Sequence, residues 1–331
     1  MIVIQPHTAC VNVAAFTPNG RSLASVSQDG WAKVWDPAAL HTGRPLWEVD
    51  AETDEGDGAG WRLNSGLSHA QFTADGKWLI TSGWGRHLRA WDAKTGKPKW
   101  EVHKPDGYGG VGTLVVSRDG TRVAFAGGYI GIPERVFVLD TKTHTVVKTL
   151  RGHDNACGAL AAGPEGLASG GADKHVKFWS WDTGRCYHDL ALRGVVRGLV
   201  FSPDGSRLAA AGGSAVFVWD MVAPTRGTRR GREDPAAGAA AKKGRRKPGG
   251  LRQFRGHTDQ IQCLDFAPDG ATIASSAHDG TVRIWDPASG AELRAFAPQV
   301  GKLHHVAFAP DGLTLAFTSE RGHLGVLDLD G

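Results

Sequence analysis

No run of about 18 consecutive apolar residues occurs in the 331-residue chain, so no membrane-spanning helix is expected. Cysteine is scarce: Cys10, Cys157, Cys186 and Cys263 lie far apart with no C-x-x-C pair. That distribution suits neither a zinc site nor a disulfide framework and reads as small buried thiols. The opening stretch, MIVIQPHTACVNVAAF, lacks the basic region of a secretory leader, and a cytoplasmic protein is expected. Also missing are a nucleophile oriented by a base, paired carboxylates and a metal cluster, so neither enzymatic activity nor a cofactor is expected. His304-His305 is the one adjacent histidine pair. Successive strand residues face opposite sides, which keeps these two from sharing a metal.

Charge is unevenly spread. The formal net charge is +4, yet residues 224–250, PTRGTRRGREDPAAGAAAKKGRRKPGG, hold nine basic and two acidic residues. The remainder is therefore mildly acidic. Low apolar content, glycine, proline and dense charge predict a flexible insertion there. Its basic residues are Arg226, Arg229, Arg230, Arg232, Lys242, Lys243, Arg245, Arg246 and Lys247. Two readings stand side by side: electrostatic attachment to nucleic acid or another acidic surface, or a soluble spacer. No aromatic residue lies within the segment, so base stacking is not offered. An opposite bias marks residues 50–60, DAETDEGDGAG, with five acids and no base.

What is plentiful is glycine, 46 residues, together with short apolar runs separated by turn residues. The stretch RGHTDQIQCLDFAPDGATIASSAHDGTVRIWD, residues 255–286, opens on Gly-His and closes on Trp-Asp, with three short strands and tight turns between. Its pattern recurs. Ser25, Asp29 and Trp35 are spaced as Ser169, Asp173 and Trp179 and as Ser275, Asp279 and Trp285, preceded by His7, His153 and His257. Weaker copies end at Trp91-Asp92, Leu139-Asp140, Trp219-Asp220 and Leu327-Asp328. Third strands then end at seven positions, mostly 40 to 48 residues apart, a period suited to four-stranded blades.

These motifs resemble the WD-repeat (Trp-Asp repeat) β-propeller family over nearly the whole chain. The resemblance implies an all-β, seven-bladed β-propeller of four-stranded antiparallel blades, forming a single domain, 1–331. The seventh repeat has no fourth strand after Leu329, and Ile2 to Gln5 is expected to supply it and close the ring. The resemblance further implies that each His, Ser, Asp and Trp set is a buried hydrogen-bonded brace. Residue chemistry agrees, because an indole only donates, a serine relays and a carboxylate accepts.

The same resemblance implies a top face on which the Gly-His loops and the turns before third strands gather. By register, Asn12, Ser68, Arg197, Gln262 and His304 are expected at the mouth of a central channel, with Gln28, Trp84, His278 and Glu320 beside them. Trp and Arg dominate many interfaces, which marks Trp84 and Arg197 as preferred contacts. The expected function is a non-catalytic scaffold presenting these loops to a protein or peptide partner, the ring itself being monomeric. The alternatives are a nucleic-acid-associated factor using the basic loop and, behind it, a propeller enzyme with a channel site.

Overall fold

A computed structural model describes residues 1–51, 66–106, 109–128, 130–222 and 247–330. Among these, the strands form seven four-stranded antiparallel sheets, each a blade of one ring. We letter the strands of each blade a to d from the axis outward. The a strands are Val11–Phe16, Leu67–Phe72, Thr113–Val116, Cys157–Ala162, Val196–Phe201, Ile261–Phe266 and Leu303–Phe308. They are short because turn residues interrupt the apolar runs every few positions.

At the bottom of four blades, a hydroxyl before the a–b turn anchors the turn. Thr17 donates to Asn19 Oδ1, Thr73 to Asp75, Ser117 to Asp119 and Ser202 to Asp204, at 2.6–2.8 Å. In five blades the glycine that ends the a–b turn adopts φ near +70° and meets a proline of the preceding blade. Gly76 lies against Pro18, Gly270 against Pro203 and Gly312 against Pro268. The Pro-Asp-Gly signature thus supplies a left-handed turn and a blade-to-blade contact at once.

The hydrophobic core lies between blades. Val13, Val26 and Val34 of blade one pack with Leu67, Phe72 and Leu79 of blade two, and each further seam is filled in the same way. The closing seam joins Leu23 and Trp35 to Ala316 and Leu324, with Ile2 and Ile4 against it. Here Ile2–Ile4 pairs antiparallel with Leu324–Asp328 as strand d of blade seven. The expected closure is present, one residue shorter than anticipated, and the Gln5 side chain donates to Arg321 O instead.

Two expectations are corrected. Residues 247–250, expected to lie in the flexible insertion, begin strand d of blade five, Lys247–Arg255, paired with strand c, Ala215–Val222. Backbone hydrogen bonding to an existing strand outweighs their glycine and proline content. Cys186 is exposed, not buried, because it starts an outermost strand, Cys186–Ala191. Cys10 and Cys157 are buried and Cys263 is half-buried. The other basic positions, Arg226, Arg229, Arg230, Arg232, Lys242, Lys243, Arg245 and Arg246, lie outside the described residues, as do residues 52–60 of the acidic stretch. Among the described residues no helix is long and apolar enough to cross a membrane.

Candidate functional site

The three complete repeats form the same buried chain. In blade six, Trp285 Nε1 donates to Ser275 Oγ at 2.8 Å, Ser275 Oγ lies 2.7 Å from His257 Nε2, and His257 Nδ1 lies 2.8 Å from Asp279. Since the indole can only donate and the carboxylate only accept, the serine hydroxyl donates to Nε2 and Nδ1 carries the proton. Blade four repeats the chain through Trp179, Ser169, His153 and Asp173, and blade one through Trp35, Ser25, His7 and Asp29. Each histidine follows strand d of the preceding blade, so each chain ties one blade to the next.

Burial pushes the His153 and His257 imidazoles below their ordinary value, against the pull of the adjacent carboxylates. Burial also acts to raise Asp29, but the hydrogen bond and charge of His7 and the N–H groups of Thr8 and Trp31 outweigh it and hold the carboxyl at about 2. These groups are fully engaged with one another.

Blade two keeps only the Trp91 Nε1 to Thr81 Oγ1 bond, at 2.9 Å. The seam between blades two and three is held differently. Lys104, just after strand d of blade two, Pro98–His103, is fully buried with its Nζ 3.0 Å from Glu134 Oε1 and 3.5 Å from Asp106. The ammonium also donates to Gly127 O at 2.6 Å. Burial pushes the Glu134 carboxyl up, with Lys104 pulling the other way. Gly128 makes the space, since a Cβ there would lie 1.9 Å from Glu134 Oε2. No motif announces this ionic cluster; Lys104 and Glu134 stand 30 residues apart in an unremarkable stretch.

The central cavity has a volume of about 990 Å3 and is lined by all seven a strands. At its top, every one of the five residues expected at the mouth sits in a β-bulge. The register slips across Asn12, Ser68, Arg197, Gln262 and His304 in turn, between the first and third residues of each a strand. A bulge leaves its extra residue unpaired and re-aims the side chain. Gln28, Trp84, His278 and Glu320 occupy one equivalent position, their N–H groups bonded to Cys10 O, Gly66 O, Gln260 O and Lys302 O. Of the nine, all but His278 and Glu320 line the cavity. The His278 ring lies 5.2 Å from that of His304.

The mouth is asymmetric. Blade four has Gly158 at its bulge and blade three has Gly112 beside its a strand, so side chains are missing from that arc. There Trp84 rests over Gly110 of the next blade while staying 48% exposed, and Ile130 is 82% exposed. The opposite arc is polar, with Arg197 exposed and Gln262, His278 and His304 half-exposed. Asn12 is partly engaged, its Nδ2 donating to Leu67 O of the next blade at 2.6 Å.

Deeper in the channel His305 is joined by two groups that sequence reading missed, His69 and Asp265. His69 and His305 face each other edge-on at 6.5 Å, and the Asp265 carboxylate accepts the Phe308 N–H at 2.8 Å. Desolvation pushes His69 and His304 down to about 4 and His305 to about 3, and raises Asp265 to about 7. The adjacent histidines are indeed split, His304 toward His278 and His305 toward His69. Asp265 bridges blades six and seven as Gln71, accepting the Val116 N–H at 2.9 Å, bridges blades two and three. Among the described residues the single group of three metal-ligating side chains lies outside the channel, in blade two.

A family model described as WD domain, G-beta repeat matches residues 1–36, 62–92, 144–180, 184–220 and 250–286, more than half of the chain. The chain belongs to the WD-repeat family. The three inner strands of blades three and seven, which end in Leu-Asp instead of Trp-Asp, fall outside the matched segments and are established by the structure. The chain is 25% identical to Cilia- and flagella-associated protein 52 of Chlamydomonas reinhardtii over 67% of its length, spanning 26% of that protein. It is 24% identical to Small ribosomal subunit protein RACK1y of Oryza sativa subsp. japonica, over 86% of this chain and 94% of that one. It is 31% identical to Target of rapamycin complex subunit wat1 of Schizosaccharomyces pombe, over 36% of this chain and 32% of the relative. The chain thus covers about a quarter of the algal relative and nearly all of the rice one.

Proposed function

We propose that this WD-repeat ring is a non-catalytic, monomeric scaffold of the cytoplasm that holds a protein or peptide partner on its top face. The observation that carries the reading is the bulge ring: unpaired, re-aimed side chains at one channel mouth, beside an exposed indole. Bulges of this kind terminate pairing and direct side chains outward at functional sites. The two arcs favour a partner with an apolar residue for Trp84 and Ile130 and an acidic or amide-bearing residue for Arg197 and Gln262. Two relatives are named as members of assemblies, a small ribosomal subunit and a Target of rapamycin complex, which is in keeping with a scaffold. Asp265 is assigned to holding blades six and seven together, since its carboxylate is already committed to a backbone N–H.

To test the reading, the immobilised protein and a Trp84→Ala/Arg197→Ala variant are exposed to host extract, and the retained proteins are identified by mass. Loss of a reproducible partner, with an unchanged melting temperature, is the expected result. Equal retention by both proteins removes the top face from consideration.

A second reading rests on the basic segment, whose nine cations predict salt-sensitive binding to phosphates. Titrating a labelled duplex at low and high salt against the intact chain and a variant lacking residues 224–246 separates the two. Negligible binding by both ends the second reading.

A further inference from the structure

The outer part of blade two carries a cluster used neither by the braces nor by the channel. Strand c, His87–Asp92, pairs with strand d, Pro98–His103, so that His87 stands across from His103 and Arg89 across from Glu101. Residues two apart share a face of the sheet, and cross-strand neighbours on that face are in contact range. His87, Glu101 and His103 therefore converge. One ligating atom from each lies within 4.8 Å of the others. Glu101 Oε1 is 3.3 Å from His103 Nε2 and 3.8 Å from His87 Nδ1, and the imidazoles meet edge to face at 5.7 Å. Zinc holds N and O ligands at roughly 2.0–2.2 Å in a tetrahedron, which puts ligand atoms about 3.3 Å apart. Small side-chain rotations bring the three to that spacing.

Two neighbours set the triad. Arg89 Nε donates to Glu101 Oε2 at 2.7 Å, which leaves Oε1 turned toward the imidazoles. Outer contacts that orient a ligand in this way are part of most metal sites. Gly85 stands where blades one, four and six have the aspartate of the brace, and a Cβ there would come 2.7 Å from His87 Cε1. Blade two, with no aspartate at this position, has room for the triad.

Blade four is an internal comparison. His175 takes the place of His87, Lys177 that of Arg89 and Asp189 that of Glu101, with His175 Nδ1 2.6 Å from Asp189 and Lys177 in contact with the same carboxylate. Opposite His175, however, stands Ala191 where blade two has His103. Blade four is an ordinary cross-strand ion cluster with two ligating side chains, and blade two has three.

We propose that His87, Glu101 and His103 bind one divalent transition-metal ion of the zinc class, with the remaining coordination position open to solvent at the rim of the ring. Two imidazoles and one carboxylate suit zinc and its neighbours and not calcium or magnesium. The test is calorimetric titration of metal-free, full-length protein with zinc chloride. One equivalent is expected at this site. His103→Ala, at a side chain 73% exposed and therefore harmless to folding, weakens that equivalent by at least about tenfold, the smaller loss seen even for partners outside a coordination shell. Ala191→His adds a second equivalent in blade four. Absence of binding by the unmodified protein, unchanged affinity in His103→Ala, or no gain in Ala191→His overturns the proposal.

Discussion

The seam between blades five and six and the seam between blades two and three do the same job with different chemistry. In the first, His257 leaves the outer strand of one blade and reaches Asp279 in the turn of the next, through a chain in which each polar atom meets a partner of complementary kind. In the second, Lys104 leaves the outer strand and reaches Glu134, with full charges buried on both sides. A fully paired network, in which the one carboxylate is met by an imidazole N–H and backbone N–H groups, fixes one geometry. A buried ion pair must recover a desolvation penalty first, so it is weak evidence of net stabilisation while its rupture is severe. One architecture thus tolerates two solutions at equivalent places, and the repeat signature records only one of them.

The largest effect is expected at the ionic seam. Lys104→Ala leaves Glu134 buried without its countercharge and lowers stability in urea unfolding by about 3–5 kcal/mol. The paired replacement Lys104→Met with Glu134→Leu recovers most of that loss, because it removes the desolvation penalty together with the pair. Equal damage from the single and paired changes would dissolve the contrast between the seams.

At the braced seam, His257→Ala deprives Ser275 of its acceptor and Asp279 of one donor and is expected to cost about 1–3 kcal/mol. The truncated chain of blade two provides the lower bound. Thr81→Ala removes the single acceptor of the Trp91 indole and should cost about 1 kcal/mol, read in the same assay.

Acid should weaken the braces without needing a mutation. His153 and His257 have folded values below the ordinary 6.5 or so, hence the unfolded chain binds more protons than the fold as pH drops past that point. Stability from these residues is full above about 6.5 and declines below it. Asp29 adds a second decline from about 3.8 toward 2. Asp265, raised to about 7, works in the opposite sense between about 7 and 4, because there the fold binds the extra proton. A melting temperature that falls from pH 7 to pH 5, and falls less in His257→Ala, is the expected outcome of a calorimetric series.

Much of this ring was readable in the chain itself. The spacing of His7, Ser25, Asp29 and Trp35, repeated twice, carried the resemblance that implied a buried brace, and the complementary donors and acceptors of those residue types agreed with it. The same spacing located blades whose closing residues are Leu139 and Leu327. The bulges at Ser68 and Arg197 were not readable as such, since a one-residue slip in pairing leaves no mark on composition. Nor was the Lys104 and Glu134 cluster, where an ordinary surface-type lysine is buried by a fold-back from the next blade. Cys186 misled for a related reason: its outward position depends on which strand is outermost, not on its neighbours in sequence. The His87, Glu101 and His103 group needed the c–d register before its members could be seen together.

The central claim is that braces hold the ring and the bulged mouth meets the partner. It is tested most directly by measuring partner retention and melting temperature side by side for Trp84→Ala/Arg197→Ala and for His257→Ala. The mouth variant is predicted to lose the partner at unchanged melting temperature, and the brace variant to melt lower while still retaining it. Loss of the partner in the brace variant at unchanged melting temperature, with retention by the mouth variant, would contradict the account.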